Sequence, residues 1–519
     1  MPFFVPRLAV LVLFAASLVP PAGGSSAHEP RDVPSWRHEI PRPVYPDTGF
    51  VELYDKAWEI ASGLVRRGPE GLPVSPYLDE NCYDDCVWIW DSCFMALFSK
   101  YAPKSFPGLE SLGNFYGPMY AGVPTPLKIY WRDNPPIFAW IERAAYDFSG
   151  NKKRLDSLLN KYRFLQKHFD WFGSAPRGGT APCGANPIER GIVGNIGFTW
   201  TGNASGMDNT PRGRDAGGYD QILWVDAISQ QALSALCIAD LQQALGNEKE
   251  SKTWRETYER LKNTINTLYW DDEDGFYYDI DLKTQQPCRV KTIASLWPMM
   301  ARVASPEQAA RIVERLRDPS EFGGERPLTS LARSDPDFDG ETGNYWRGAV
   351  WLPTAYMAVK ALESYGYGDL ADELARKVLA HQERTYRLYE PHTIWECYNP
   401  NADAPSTEAG RRARPDFCGW SALGPVSLFI ENVLGFYRVS APEREVCWRL
   451  RPETGSYGIR GLRFGAVETD IVFDGIETIA VSSNAPYTLV VNGERLSVEA
   501  GEHRLAVPRA RVDEEKGGA

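Results

Sequence analysis

Histidine is scarce: the chain has 519 residues and six histidines, scattered singly. Sugar epimerases and isomerases need paired histidines for proton abstraction, so that chemistry has little to work with here. Nine cysteines are present, but no CxxC pair occurs. Cys82 and Cys86 are spaced i, i+4 with no histidine pair nearby, so no metal site is expected. The cysteine count is odd and its density low, which leaves at least one thiol free. Basic residues are in deficit, with 56 Lys and Arg against 68 Asp and Glu and no basic run. A net charge of −12 makes nucleic acid a poor partner. After the first thirty residues no apolar stretch reaches the roughly 20 residues that cross a bilayer. No strict internal repeat is visible.

What the sequence does have begins with a leader. Arg7 precedes the apolar run "LAVLVLFAASLV", and "AGGSSA" follows with small residues. This is the pattern of a signal peptide over residues 1–27, which predicts a secreted or periplasmic protein with no membrane contact after cleavage. Residues 28–49 are Pro-rich and read as a lead-in. The chain also carries 17 Trp, 25 Tyr and 22 Phe. Indoles stack on the apolar faces of sugar rings, and carboxylates bond their edges. Many Trp with many acids therefore suit a sugar-handling protein, and a large aromatic core equally well.

Helical spacing of apolar residues marks 53–67, 136–148, 154–172, 226–245, 253–270, 306–316, 349–366, 369–386 and 421–436. Long loops rich in Gly, Pro and Asn lie between them. Helices paired by short turns, with long loops on alternate connections, fit an all-α (α/α)6 toroid barrel over residues 50–440. From 441 to 510 the sequence alternates apolar and polar residues around NG and AG turns, predicting a small antiparallel, sandwich-like β domain. Residues 511–519 form a charged tail.

Six loop stretches concentrate aromatics, acids and turn residues: "VWIWDSCF" (87–94), "RDNPPIFAW" (132–140), "SGMDNTPR" (205–212), "GNYWRGAVW" (343–351), "TIWECYNP" (393–400) and "FCGWSALG" (417–424). In a helical toroid alternate connections gather at one end, so these stretches are expected to meet around a pocket. Each residue has a plainer reading beside this one. Asp91 suits a helix N-cap, and Arg347 suits a structural ion pair. Glu341 in "DGETGNYW" is as good a candidate base as Glu396 on residue type alone. His392 reads as a packed or substrate-edge histidine. "DDEDGFYYDID" (271–281) lacks the closing Glu of a calcium loop and reads as an acidic hairpin turn. The "NAS" triplet at Asn203 fits a glycosylation site but abuts the acidic bend.

Taken in order, "WDS" at Trp90–Ser92, "NPP" at Asn134–Pro136, "SGMDN.PR" at Ser205–Arg212, "YWRGAVW" at Tyr345–Trp351, "ECYNP" at Glu396–Pro400 and "GWSAL" at Gly419–Leu423 resemble glycoside hydrolase family 63. The related mannosylglycerate and glucosylglycerate hydrolases, in a clan that includes trehalase, share these marks. The resemblance covers most of residues 50–437. It implies an (α/α)6 barrel and an inverting α-glycosidase with Asp208 as general acid and Glu396 as general base. It also implies that Asp91 and Arg347 hold the terminal sugar, with Trp90, Trp346 and Trp351 shaping its pocket. Arg212 and Trp420, in the same motifs, complete the expected substrate-binding set. Neither a cofactor nor a metal is implied, and the expected partner is an oligosaccharide or small glycoside. Two departures stand out: Asn134 where the family commonly has Gln, and Cys397 where an aromatic is usual. The N-terminal β domain of larger relatives has no room here.

The chemistry fits such a pair. Cleaving a glycosidic bond takes one protonated carboxyl for the leaving oxygen and one ionised carboxylate on the opposite face. The expected activity is a secreted exo-acting α-glucosidase. The competing readings are a carbohydrate-binding protein on an inactive hydrolase scaffold, and a sugar phosphorylase or epimerase on the same barrel.

Overall fold

The computed structural model describes residues 35–80, 83, 85–179 and 183–508. The signal peptide expected over 1–27 and the tail expected over 511–519 lie outside the described residues. A helix-rich body is followed by a strand-rich C-terminal region.

The helices fall into two kinds. Ile89–Ser99 is buried on every face, and Val225–Ala244 and Leu352–Ser364 nearly so. By contrast, Glu248–Leu268 and Gly368–Leu388 bury one stripe and expose charged residues on the other. A helix apolar all round belongs inside, and an amphipathic one covers it. Sequence neighbours pair accordingly. Val225–Ala244 turns through Gly246 (φ 81°) into Glu248–Leu268, and Leu352–Ser364 turns through Gly366 (φ 83°) into Gly368–Leu388. Both glycines take the left-handed conformation that ends a helix cheaply only without a Cβ. The buried helices pack on one another in chain order: Ile89–Ser99 on Phe138–Ser149, that on Val225–Ala244, then Trp297–Met300, then Leu352–Ser364. The last segment, Gly424–Val433, touches both Leu352–Ser364 and Ile89–Ser99.

Two segments differ from the expected α-helices. The span 154–172 is broken: Lys152–Asp156 runs into a π turn at Ser157–Lys161, and Phe164–Ser174 restarts after Arg163 at φ 53°. The wider turn lets Leu155, Leu158 and Leu159 all stay buried before the chain redirects. Gly424–Val433 is a π-helix with all ten residues buried. A Cβ on Gly424 would lie 1.7 Å from the Gln382 Oε1, so glycine permits its close approach to Gly368–Leu388. The acidic stretch 271–281 forms a hairpin, with Trp270–Asp271 paired to Phe276–Tyr277.

The C-terminal region holds two sheets. One is antiparallel throughout: Arg42–Val44, Tyr457–Phe464, Val467–Phe473, Thr478–Ser483 and Gly501–Ala506. The other orders Arg438–Ser440, Glu445–Trp448, Tyr487–Val491 and Glu494–Val498, and its middle pair is parallel rather than antiparallel. The intervening strands belong to the facing sheet, so the chain returns in the same direction. Phe464 meets Tyr487 and Trp448 meets Tyr457, with centroids 5.8 and 5.5 Å apart, across the two sheets. The Pro-rich lead-in is not a bare connector: Arg42–Val44 is the edge strand of the larger sheet. Among the described residues no helix is long and apolar enough to cross a membrane. The eight described cysteines are free thiols.

The two regions are locked by charge. Arg449 reaches from the strand region to the Asp372 Oδ1 and Oδ2 (2.7 and 2.8 Å) and to Glu363 (2.7 Å). Arg451 adds a bond to Asp372 at 2.8 Å, and Asn432 another at 2.9 Å. The Asp372 side chain is only 2% exposed, so its charge depends on these partners. Arg449→Ala is expected to lower unfolding free energy by roughly 3 kcal/mol, because it strips partners from a buried charge. Urea denaturation checks this, and a loss below about 0.5 kcal/mol, the level of an ordinary surface change, would show that the contact does not hold the regions together.

Candidate active site

The acidic bend at 205–212 is shaped by its neighbours. A single turn, Gly202–Ser205, is capped by Thr201, whose side chain accepts from the Ala204 N–H. Gly206 closes it at φ 80°, where a Cβ would fall 2.2 Å from the Trp90 ring. Glycine is thus required twice, for backbone conformation and for approach of the indole. Asp208 follows on the half-buried surface of a cleft. The next residue, Asn209, accepts from the Trp346 N–H (2.8 Å) and donates to the Asn344 carbonyl (2.9 Å). The acid loop is thereby pinned to the "GNYWRGAVW" loop.

That second loop is strained. Asn344 and Tyr345 sit at φ 28° and 63°, a region unfavourable for residues with side chains. The strain is held by Asn209 and by the Trp351 indole N–H, which donates to the Tyr345 carbonyl at 3.1 Å. It aims the Tyr345 hydroxyl at Glu396, to whose Oε1 it donates at 2.9 Å. Glu396 itself lies at a bend in the loop that follows Gly368–Leu388. Its N–H donates to the Arg414 carbonyl (2.9 Å), and its carbonyl accepts from the Trp420 indole and the Ser421 hydroxyl (both 3.1 Å). The Arg414 N–H donates to its Oε2 at 3.4 Å. Residues 208 and 396 are joined through one short relay, from Asn209 to Trp346 and Tyr345 and on to Glu396.

The electrostatics separate the two carboxyls. Asp208 makes no side-chain hydrogen bond among the described residues. Burial, then repulsion from Glu396 and Glu408, pushes its pKa up to about 7. Burial also raises Glu396, but the Arg414 cation and the Tyr345 and Arg414 donors oppose the rise. A carboxyl with no donors favours its neutral form, and one supplied with donors favours its charged form. Asp91, in the first turn of Ile89–Ser99, is held well above its ordinary value by burial and by the charges of Glu396 and Asp208. It makes no N-cap bond; Trp88 occupies that position.

An aromatic wall backs these acids. Trp346 and Trp351 stack in parallel with centroids 4.0 Å apart. Trp90 meets Trp346 at 6.0 Å, and Trp420 meets both Trp90 (5.6 Å) and Trp351 (5.7 Å). Trp351 and Trp346 are 0% and 1% exposed, so the expectation that they line a sugar pocket is corrected: Trp351 braces Trp346 and Tyr345 from behind. The expectation for Arg212 is corrected more sharply. Its guanidinium is buried and makes two bonds each to Asp226 (2.7 and 2.8 Å) and Asp279 (2.7 and 2.6 Å), lying 4.0 Å over Trp224. All its strong donors are used, and it anchors the bend rather than facing a ligand. Arg347 pairs with Asp337 at 3.1 Å and remains partly exposed. The rival base Glu341 is exposed to solvent, and His392 is exposed and paired with Glu390. Of the two departures, Asn134 donates to the Ala204 carbonyl (2.9 Å), steadying the acid turn, and Cys397 is sealed in the core.

Several residues of the site escaped the sequence reading. Tyr345, Asn209 and Arg414 act through contacts between segments far apart in the chain. Glu189 and Tyr219 line the cleft beside Asp208. Glu80 is fully buried beside Asp91, and its carboxyl oxygens have no hydrogen-bond partner among the described residues. Tyr345 and Asn209 lay within recognised motifs and carried a usable signal; Glu189 and Glu80 carried none.

Comparison with known proteins follows the same lines. Residues 128–418 match the model of the mannosylglycerate hydrolase MGH1-like glycoside hydrolase domain, more than half of the chain. An uncharacterized protein of Borreliella burgdorferi is 27% identical over 455 residues, covering 83% of this chain and 89% of that one. A probable mannosyl-oligosaccharide glucosidase of Schizosaccharomyces pombe is 24% identical over 306 residues, 55% of this chain and 36% of that protein. Among solved structures, a family 63 mannosylglycerate hydrolase of Thermus thermophilus superposes with a TM-score of 0.52 at 19% identity, covering 72% of this chain and 99% of that one. It has been solved with glucose and with Tris and D-glycerate.

The raised Asp208 value has a consequence for stability. A carboxyl whose folded pKa is about 7 stabilises the fold fully below its ordinary value of 3.8, and that contribution is lost as pH rises through about 7. Asp208→Asn is therefore expected to be more stable than the parent above pH 7, by roughly 2–4 kcal/mol, with the gain gone at pH values below the ordinary carboxylate range. Thermal unfolding across pH checks it. An equal effect at every pH would mean that Asp208 titrates normally.

Proposed function

The chain belongs to the mannosylglycerate hydrolase MGH1-like glycoside hydrolase family, and from that premise we propose that it is an exported, inverting, exo-acting α-glycosidase working on α-glucosides. The single observation that carries the reading is the contrast between Asp208 and Glu396. They are joined by one hydrogen-bond relay, yet only Glu396 is supplied with donors for its charged form. Asp208, neutral near pH 7, protonates the leaving oxygen. Glu396, ionised and oriented by Tyr345, draws a proton from water attacking the opposite face of the sugar. Inversion asks for a carboxyl separation of about 6.5–9.5 Å, wide enough for that water.

The remaining roles follow from position. Asp91 and Arg347 hold hydroxyls of the terminal ring, and Trp90 and Trp420, backed by Trp346, supply the apolar wall on which it rests. The chain of mutually packed buried helices, closed by Gly424–Val433 against Ile89–Ser99, supports an (α/α)6 barrel with these loops at one end. Export rests on the leader sequence.

Purified protein should release glucose from α-linked disaccharides without phosphate, and proton NMR should show the β anomer first. The α anomer appearing first would exclude inversion, and a phosphate requirement would make the enzyme a phosphorylase. Asp208→Asn and Glu396→Gln should each cut kcat/KM by at least about 100-fold with the fold intact. Full activity in either variant would remove that residue from the mechanism. The rate should fall as pH rises past about 7, because Asp208 then lacks the proton it must give.

A further inference from the structure

The cleft on which Asp208 opens has a volume of about 640 Å³. Ile188, Glu189, Thr201, Gly202 and Tyr219 line it, with Arg177 at its rim, and Glu396 does not. A general acid delivers its proton to the leaving oxygen, so under the glycosidase reading this side of the site receives the leaving group.

Glu189 is the charged group of its inner wall. The Trp131 indole N–H donates to its Oε1 at 3.1 Å, and the Thr201 hydroxyl donates to its Oε2. Thr201 is also the residue that caps the acid turn, so the Glu189 carboxylate is fixed relative to Asp208. Both donors are neutral and leave the negative charge in place. Each oxygen keeps a lone pair for another donor. Its charge reaches Asp208, which it helps to keep protonated. Two of the nearby cations are paired with carboxylates. Arg177 pairs with Asp220 at 3.7 Å, and Arg347, whose charge reaches Tyr219, pairs with Asp337 at 3.1 Å. A bound carboxylate here would meet the like charge of Glu189, and a sugar hydroxyl would find a fixed acceptor.

We infer that this cleft selects a neutral, hydroxyl-rich leaving group, a sugar ring or short oligosaccharide, through Glu189, and discriminates against carboxylate-bearing leaving groups such as glycerate. The inference rests on the glycosidase reading and deepens it. It separates this chain from a mannosylglycerate hydrolase on a feature of the leaving-group side alone.

The test compares neutral α-glucosyl disaccharides with α-glucosylglycerate and α-mannosylglycerate, using the full chain and Glu189→Gln. The parent should prefer the neutral substrates by at least about tenfold in kcat/KM, the effect of one well-placed hydrogen bond or unscreened like charge. Glu189→Gln should lower the ratio of disaccharide to glycerate-glycoside kcat/KM about tenfold, beyond any loss common to both through the proton on Asp208. Equal or better cleavage of glycerate glycosides by the parent overturns the inference while leaving a glycosidase. So does a Glu189→Gln variant that weakens both substrates alike, the mark of a merely structural role. A binding arm uses Asp208→Asn, with tryptophan fluorescence titrated by intact disaccharide and by intact glucosylglycerate. Tighter binding of the disaccharide supports the inference, and tighter binding of glucosylglycerate sinks it. If no glycoside is cleaved under any condition, the glycosidase reading fails and the binding arm still decides the selectivity of the cleft.

Discussion

Two carboxyls that repel each other are kept in one buried region by hydrogen bonds between loops remote in sequence. Asn209, beside one acid, grips the backbone of Asn344 and Trp346; Tyr345, between them, bonds the other acid. Burial, and then this repulsion, raises the proton affinity of the group without donors. Left to itself, repulsion would drive the loops apart. The relay through Asn209 and Tyr345 prevents that, and the positive φ values of Asn344 and Tyr345 are the conformational cost.

The surrounding structure serves this constraint in layers. Behind the relay stand four indoles in mutual contact, which deny the loops room to relax and lower the local polarity. Beneath the acid loop, Arg212 ties Asp226 at the start of one buried helix to Asp279 on a short strand. A buried guanidinium between two carboxylates adds little net stability. It does fix direction, and here the direction is that of the bend carrying Asp208. Glycine at 206 lets the bend press against Trp90.

Under the proposed function, the two acids and the leaving-group side are built from different parts of the chain. The proposed terminal-sugar side is walled by residues that belong to recognisable motifs. The proposed leaving-group side draws on Ile188, Glu189 and Tyr219, outside the core of any motif. Selectivity encoded there can change without disturbing the relay that sets the two acids.

The sequence alone determined the periodic helices, the alternating C-terminal strands and the order of the acidic and aromatic loops. These are local: apolar spacing and turn residues act over a few residues and leave a readable pattern. It misjudged Arg212, because an arginine near an acid looks the same whether it faces a ligand or is spent on buried partners. It missed Glu189 and Glu80, whose neighbours are distant in the chain. It could not choose between Glu341 and Glu396 by residue type; tertiary structure exposed the first and buried the second against Tyr345. The edge strand at Arg42–Val44, the parallel pair at Glu445–Trp448 and Tyr487–Val491, and the break at Arg163 were likewise decided only by packing. Local pattern fixes which segments exist, while burial and long-range hydrogen bonding fix which side chains face one another, and chemistry depends on the second.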